Sequence, residues 1–95
     1  MLIRKYLFQG EEGFHIRPAA QFAKLAKTAL SNVHLLFDGE EFNGKSPLSI
    51  MSACIGNGKA FTLRVDGPDE EAILALVEDT MVYGPDRYFM PAEQE

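Results

Sequence analysis

The apolar residues of this 95-residue chain fall in short segments, and each segment would bury only one face. Some segments alternate apolar and polar residues, which is the period of a half-buried strand, and others repeat apolar residues every three to four positions, which is the period of an amphipathic helix. Their order is strand, helix, strand, strand, helix, strand, helix. Such one-sided elements satisfy each other when an antiparallel sheet carries all its helices on one side. The sequence therefore predicts an α+β fold with two layers.

Four segments have the composition and alternation of strands. The second of them ends in an Asp-Gly turn signal, after which a short return strand is expected. Their predicted ranges or apolar faces are, in chain order, Leu2–Phe8; Val33, Leu35 and Phe37; residues 40–43; and Phe61, Leu63 and Val65.

Three segments have helical signals. The first starts near Arg17. The second is brief, with Ser46 as N-cap before a proline, and we expect Gly56 and Gly58 to close it. The third starts near Asp69, where a cluster of carboxylates favours the positive end of the helix dipole. The residues expected to be buried are Phe22, Leu25, Ala26, Ala29 and Leu30 in the first helix and Ile73, Leu76, Val77 and Met81 in the last.

Length, hydropathy and charge exclude several classes of protein. Ninety-five residues suffice for one compact domain, so we expect a single domain over residues 1–95, with residues 84–95 as a C-terminal extension. Because no apolar run is long enough for a secretion signal or a membrane span, we expect a cytoplasmic protein without membrane insertion. A net charge of −5 argues against nucleic acid as the main partner, since phosphate backbones need clustered cations.

The cysteine and histidine content argues against a metal site. Cys54 is the only cysteine, so it forms no internal disulfide, and we expect it to be a small buried side chain. Two histidines and one cysteine so far apart do not have the spacing of metal ligands.

One part of this acidic chain is locally basic. Between Gly13 and Phe37 there is no Asp or Glu, whereas Arg17, Lys24 and Lys27 all lie there. Such a region suits an anionic ligand or an acidic partner surface.

His15 lies immediately before the first predicted helix, and Arg17 lies just inside it. The free amides at a helix N-terminus carry partial positive charge, which disfavours the imidazolium and keeps the ring neutral and nucleophilic. A phosphate on the ring would meet these amides, and Arg17 is able to pair with its oxygens. Gly13 gives the backbone the freedom to place His15 over the helix end.

Position alone does not distinguish a phosphoryl acceptor from an ordinary capping or surface histidine. The other histidine, His34, falls in mid-strand on the face opposite Val33 and Leu35. We interpret His34 as a solvated structural residue.

The residues from Gly13 to Phe22 read Gly-Phe-His-Ile-Arg-Pro-Ala-Ala-Gln-Phe and closely resemble the active-site signature of HPr. HPr is the histidine-containing phosphocarrier of the bacterial phosphoenolpyruvate:sugar phosphotransferase system. The resemblance covers residues 1 to about 82 and implies an open-faced sandwich, with a four-stranded antiparallel sheet and three helices on one face. Its further matches are Lys24, Lys27, Asn43-Gly44-Lys45, Ser49-Ile50-Met51 and Gly58.

The resemblance also implies a reaction. Phosphorylated Enzyme I would transfer its phosphoryl group to Nδ1 of His15, and a sugar-specific enzyme II component would remove it. Arg17 would bind the phosphate. Neither a metal nor an organic cofactor is implied for such a carrier.

The second predicted helix departs from the family pattern. The family's regulatory serine opens this helix, and the Ser-Ile-Met match places it at Ser49, but the chain is shorter than the pattern here and Ser46 is the better N-cap. A serine kinase/phosphorylase could act on either residue, because a phosphate gains from the helix terminus, or both serines could be ordinary caps. An HPr-like regulatory binding module controlled by serine phosphorylation is therefore the alternative function.

The end of the chain is the second departure. Residues 83–91 extend past the family's usual last helix and contain three aromatic residues, Tyr83, Tyr88 and Phe89. Such a segment could pack onto its own domain, pair with another copy or contact a partner.

Overall fold

The computed structural model describes residues 1–92, in which the predicted open-faced sandwich is confirmed. All neighbouring strands are antiparallel, in the order β3-β2-β4-β1-β5, so the sheet has five strands where four were expected. A π-helical turn over Glu78–Val82 continues the last helix. The elements are β1 (Leu2–Phe8), α1 (Ile16–Lys27), β2 (Asn32–Phe37), β3 (Glu40–Asn43), α2 (Pro47–Ser52), β4 (Ala60–Asp66), α3 (Glu70–Val77) and β5 (Phe89–Pro91).

The core lies between one face of the sheet and the helices. Strand alternation places every second residue on this face, and the opposite face stays uncovered. The inward side chains that are fully buried are Tyr6 and Phe8 of β1, Val33 and Leu35 of β2, Phe61, Leu63 and Val65 of β4, and Phe89 of β5.

Helix α1 buries Phe22 and Ala26 against the sheet, as its period predicted. The helix ends at Lys27, however, and the prediction of a buried Leu30 was wrong, because the helical period no longer applies there and the side chain is 80% exposed. The Leu30 amide instead donates to the Asp69 carboxylate at 2.9 Å.

The buried stripe of helix α3 differs from the predicted one at a single residue, with Leu74 in place of Leu76. Leu74 is 7% exposed, while Leu76 is 37% exposed, so the expectation for Leu76 was wrong. A stripe at 73, 74, 77 and 81 follows the period of the helix, and Leu76 falls at its edge. Met81 reaches the core through the π-helical turn and is fully buried.

Asp69, at the start of α3, caps a neighbouring loop instead of its own helix. Its carboxylate accepts hydrogen bonds from the amides of Leu30 and Ser31, both at 2.9 Å, and from the buried Ser31 hydroxyl. The hydrogen bond from the hydroxyl is the main cause that lowers the pKa of Asp69, followed by that from the Leu30 amide. This carboxylate ties the end of α1 to the start of α3.

Helix α2 begins as predicted, with Ser46 as N-cap, but the expected glycines do not end it. It ends at Ser52, and Cys54 takes the left-handed conformation, with a φ of 57°, that a glycine often provides after a helix. Cys54 is therefore exposed while Ile55 turns into the core, and the prediction of a buried cysteine was wrong.

The C-terminal segment packs onto its own domain. Strand β5 pairs with β1 so that Phe89 lies opposite Phe8, and Phe89 is fully buried whereas Tyr83 is 71% exposed. The resemblance to HPr ends near residue 82, so it did not predict this strand. No helix among the described residues is long and apolar enough to cross a membrane.

Candidate functional site

His15 is the N-cap of α1. Its backbone is extended, with φ −85° and ψ −166°, and its carbonyl accepts the first helical hydrogen bond from the Ala19 amide at 3.0 Å. Pro18 has no amide hydrogen, so Ile16 and Arg17 provide the free N–H groups of the first turn. The Arg17 amide donates to Nδ1 of His15 at 3.4 Å.

The hydrogen bond from Arg17 assigns the two ring nitrogens. A neutral imidazole that accepts at Nδ1 carries its proton on Nε2. Nε2 lies 3.9 Å from Oε1 of Glu12, too far for a hydrogen bond but close enough for attraction. Sequence reasoning missed Glu12, because the spacing of a loop residue to a histidine carries no periodic signal.

The loop before α1 needs glycine at position 13. Gly13 has a φ of 72°, and a Cβ there would lie 3.0 Å from the carbonyl oxygen of Ile55. Two hydrogen bonds of the same loop follow: the His15 amide donates to the Gly13 carbonyl at 2.8 Å, and the Phe14 amide donates to the Ile55 carbonyl at 2.9 Å. These contacts hold the histidine against the segment that follows α2.

An open depression lies beside His15. A hydrogen bond from the Gly10 amide to Oδ1 of Asn57, at 2.9 Å, joins its two loops. The side chain of His15 is 34% exposed, so the ring is accessible to a partner from this side. The residues that line the depression are Glu11, Glu12, Gly13, Phe14, His15, Met51, Cys54, Ile55, Gly56 and Asn57.

The structure brings only one of the predicted basic residues to His15. Arg17 is exposed on the first turn of α1, and among the described residues no carboxylate lies within 4.0 Å of its guanidinium. Lys24 and Lys27 are about 10 and 15 Å further along the helix than Arg17. They lie in its last turn, where their positive charges interact favourably with the negative end of the helix dipole.

Ser46 and Ser49 both use their hydroxyl oxygens inside the fold. The Ser49 amide donates to the Ser46 hydroxyl oxygen at 3.2 Å, and the Asn43 amide donates to the Ser49 hydroxyl oxygen at 2.9 Å. Both side chains are partly exposed. Their phosphorylation stays a prediction.

Helices α1 and α2 each carry one large exposed apolar side chain. Ile16, next to His15, is 57% exposed, and Leu48 on α2 is 76% exposed. Helices α1 and α2 pack against each other, so both side chains belong to one helical layer.

His34 lies apart from His15. It is on β2, opposite Asn43 and Arg64 on the neighbouring strands, and faces the uncovered side of the sheet. Within residues 1–92, no group of three His, Cys, Asp or Glu side chains is placed to hold a metal ion.

Comparison with known proteins assigns the class. Residues 4–82 match the family model described as "PTS HPr component phosphorylation site", and because this match covers most of the chain, the protein belongs to the HPr family. Family membership makes the chain a phosphocarrier of the phosphotransferase system or an HPr-like regulatory protein.

Individual relatives represent both kinds. The HPr-like protein Crh of Halalkalibacterium halodurans is 39% identical over 70 residues, which cover 70% of this chain and 83% of that protein. The phosphocarrier protein HPr of Buchnera aphidicola subsp. Acyrthosiphon pisum is 39% identical over 59 residues, 62% of this chain and 69% of that protein. The solved structure of a mycoplasma histidine-containing phosphocarrier protein superposes with a TM-score of 0.82 at 27% identity, covering 86% of this chain and 93% of that one.

Proposed function

We propose that this protein is a phosphocarrier that accepts a phosphoryl group from phosphorylated Enzyme I on Nδ1 of His15 and passes it to enzyme II components. The observation that supports this most is the position of Nδ1, whose lone pair faces the N-terminus of α1 and accepts from the Arg17 amide. A nitrogen with a lone pair is the form that attacks phosphorus.

The transfer step uses groups already at the site. The Nδ1 lone pair forms the bond to phosphorus while the bond from phosphorus to the donor breaks, and the electron pair leaves with the donor. At 3.4 Å the Arg17 amide holds Nδ1 only weakly, so it exchanges this bond for one to a phosphoryl oxygen. The Arg17 guanidinium pairs with another oxygen, as charge-assisted hydrogen bonds to phosphate do.

Glu12 acts on the other side of the ring. Attack by Nδ1 leaves positive charge on the imidazole, and the proton on Nε2 faces the Glu12 carboxylate 3.9 Å away. The carboxylate stabilises this charge and favours the tautomer in which Nδ1 is free. The carrier needs no metal or organic cofactor of its own for this step.

The proposed partners dock where the ring is accessible. Ile16, next to His15, and Leu48, on the neighbouring helix α2, provide exposed apolar area, and Arg17, Lys24 and Lys27 provide positive charge along α1. A partner with an acidic rim around an apolar centre would fit this surface. Exchange with Enzyme I and enzyme II components places the carrier in the cytoplasm.

Phosphorylation by Enzyme I and phosphoenolpyruvate tests the proposal. We expect an acid-labile phosphoryl adduct on the wild type, none on His15→Ala, and an unchanged adduct on the matched control His34→Ala. An adduct that survives His15→Ala, or a wild-type protein that Enzyme I leaves unmodified, would overturn the proposal.

A second candidate function is that of a regulatory module controlled by a serine kinase/phosphorylase. The Ser46 cap favours it, because a phosphate there would lie at the start of α2, and the similarity to a Crh protein supports it. Incubation with ATP and an HPr serine kinase, followed by mass spectrometry of Ser46→Ala and Ser49→Ala, would identify the residue. No labelling of the wild type would reject this function.

A further inference from the structure

Phe89 lies at the centre of an aromatic cluster in the core. Strand β5 carries it there, and its side chain is 0% exposed. Residues 83–92 lie outside the residues that match the HPr family model, so the family match does not include this ring. The distances from the Phe89 ring centroid to its neighbours are 5.4 Å to Tyr6, 6.4 Å to Phe8, 5.7 Å to Phe14, 5.7 Å to Phe22 and 4.9 Å to Phe61.

Phe14 connects this cluster to the phosphoryl-acceptor site. It immediately precedes His15, and its side chain is 4% exposed. Its ring stacks on Phe8 at 4.7 Å and meets the Phe89 ring edge-on at 5.7 Å. Gly10 and Gly13, earlier in the same loop, have no side chains to anchor it, so Phe14 fixes the loop in the core.

We propose that Phe89 is a positioning residue for phosphoryl transfer, because its ring fixes Phe14 and thereby the orientation of the His15 ring at the N-terminus of α1. This inference rests on the proposed function. It assigns the C-terminal strand a role in the reaction although the strand carries no group that touches the phosphoryl group.

Close packing explains how the effect would travel. Protein cores are packed like organic crystals, so a smaller side chain at position 89 leaves a gap into which the Phe14 ring moves. Phe14 and His15 are adjacent in the chain, so this movement turns the imidazole. The bond between the Arg17 amide and Nδ1 is already 3.4 Å long, so a small displacement is enough to break it.

The kinetic test compares Phe89→Leu with Val65→Ala. Val65 is fully buried on the same sheet, but it pairs with Leu2 at the other end of β4 from Phe61. The variants are compared under conditions where urea unfolding shows equal folded fractions. We expect Phe89→Leu to accept the phosphoryl group from Enzyme I about ten- to hundredfold more slowly than the wild type. We expect Val65→Ala to transfer at the wild-type rate. Phe89→Met, whose flexible side chain fills irregular gaps in a core better than leucine does, replaces Phe89→Leu if the latter unfolds.

Two further readouts separate positioning from lost stability. Nitrogen-15 NMR reports whether the proton of neutral His15 is on Nε2, and we expect Phe89→Leu, but not Val65→Ala, to raise the fraction with the proton on Nδ1. In a double-mutant cycle, Phe14→Leu and Phe89→Leu should slow transfer by less together than the product of their separate effects.

The outcomes distinguish this inference from the proposed function. If Enzyme I phosphorylates the wild type and Phe89→Leu is as fast as Val65→Ala, the positioning role is wrong and the phosphocarrier function stands. If Enzyme I does not phosphorylate the wild type, the phosphocarrier function fails, and the NMR readout still decides the positioning role, which an unchanged tautomer in Phe89→Leu would overturn.

Discussion

Each neighbour of His15 makes a different contribution to the geometry of the site. Gly13 allows the turn, Phe14 anchors it, the Arg17 amide holds Nδ1, and Glu12 faces Nε2. The amide donates to one side of the ring and the carboxylate faces the other, so both favour the tautomer with the proton on Nε2. In the proposed transfer, the nitrogen that attacks phosphorus is therefore selected by its neighbours before any partner arrives.

Glu12→Gln tests the contribution of the carboxylate. The change keeps the shape of the side chain but removes the charge 3.9 Å from Nε2, so less of the positive charge on the ring is stabilised during transfer. Because the pair is exposed, we expect phosphorylation by Enzyme I to slow by only about two- to fivefold. Quenched-flow measurement at low and high salt would check this.

The matched control for this prediction is Glu11→Gln, which removes a charge from the adjacent loop residue. A Glu12→Gln protein as fast as Glu11→Gln would contradict the role of Glu12, and so would a difference that high salt does not reduce.

At the scale of the element, helix starts and strand faces were predictable, whereas the ends of α1 and α2 were not. Local signals define a start, as the cap at Ser46 shows, and a period of two defines a strand face. The end of α2 depends on Cys54 taking a conformation that sequence patterns assign to glycine. Strand β5 was missed because three residues are too few for periodicity, and only its pairing with β1 makes it a strand.

In the candidate site, too, the features set by local sequence were predicted and the others were missed. The local pattern before α1 predicted the placement of His15 and Arg17 at the helix start. Glu12 approaches His15 through a loop turn, which carries no periodic signal. Phe89 packs against Phe14 because of a long-range strand pairing, which no short window of sequence contains.

Ser46→Ala tests the cap of α2. The substitution removes the acceptor of the Ser49 amide, so we expect the free energy of unfolding to fall by about 1 kcal/mol. The matched change Ser52→Ala removes a hydroxyl that only donates to the Ser49 carbonyl on the exposed side of the helix, and it should cost less. Urea unfolding of both variants would check this, and equal losses would contradict the capping role.

Asp69 makes the stability of the fold dependent on pH. The pKa of Asp69 is lowered from its ordinary value of 3.8, chiefly by the hydrogen bond from Ser31. Between the folded and unfolded pKa values the unfolded chain binds a proton that the folded chain does not, so the stabilisation is complete above the unfolded value and is lost as pH falls through the folded one.

We therefore expect wild-type stability to fall more steeply below pH 3.8 than that of Asp69→Asn, which should be less stable than the wild type at neutral pH. Urea midpoints measured from neutral to strongly acidic pH would check this. Asp38→Asn, at an exposed turn, is the control. Parallel curves for the wild type and Asp69→Asn would contradict the prediction.

For the molecule as a whole, β5 covers the last three residues of the edge of β1, Tyr6 to Phe8, which would otherwise be free. An uncovered edge strand exposes unpaired amides and carbonyls that readily pair with another chain. β5 itself is short and contains Pro91, which has no amide hydrogen, so the new edge is a poor template for pairing.

Removal of residues 84–95 should therefore lower stability and promote self-association through β1. Sedimentation at increasing concentration would show this. Full-length Phe89→Leu is the control, since it weakens the core but keeps the edge covered, and we expect it to sediment like the wild type. A truncated protein that is folded and monomeric at all concentrations would contradict the prediction.

The pairing of β1 with β5 joins two segments from near opposite ends of the described chain, so it has consequences for the order of folding. Closing so long a loop is entropically costly until β1 and β4 are already assembled, so the C-terminal strand docks late and detaches early. The amide hydrogens of β5 should therefore exchange with solvent faster than those of β2 and β4. A refolding chain would then regain its sheet first and its competence for transfer last.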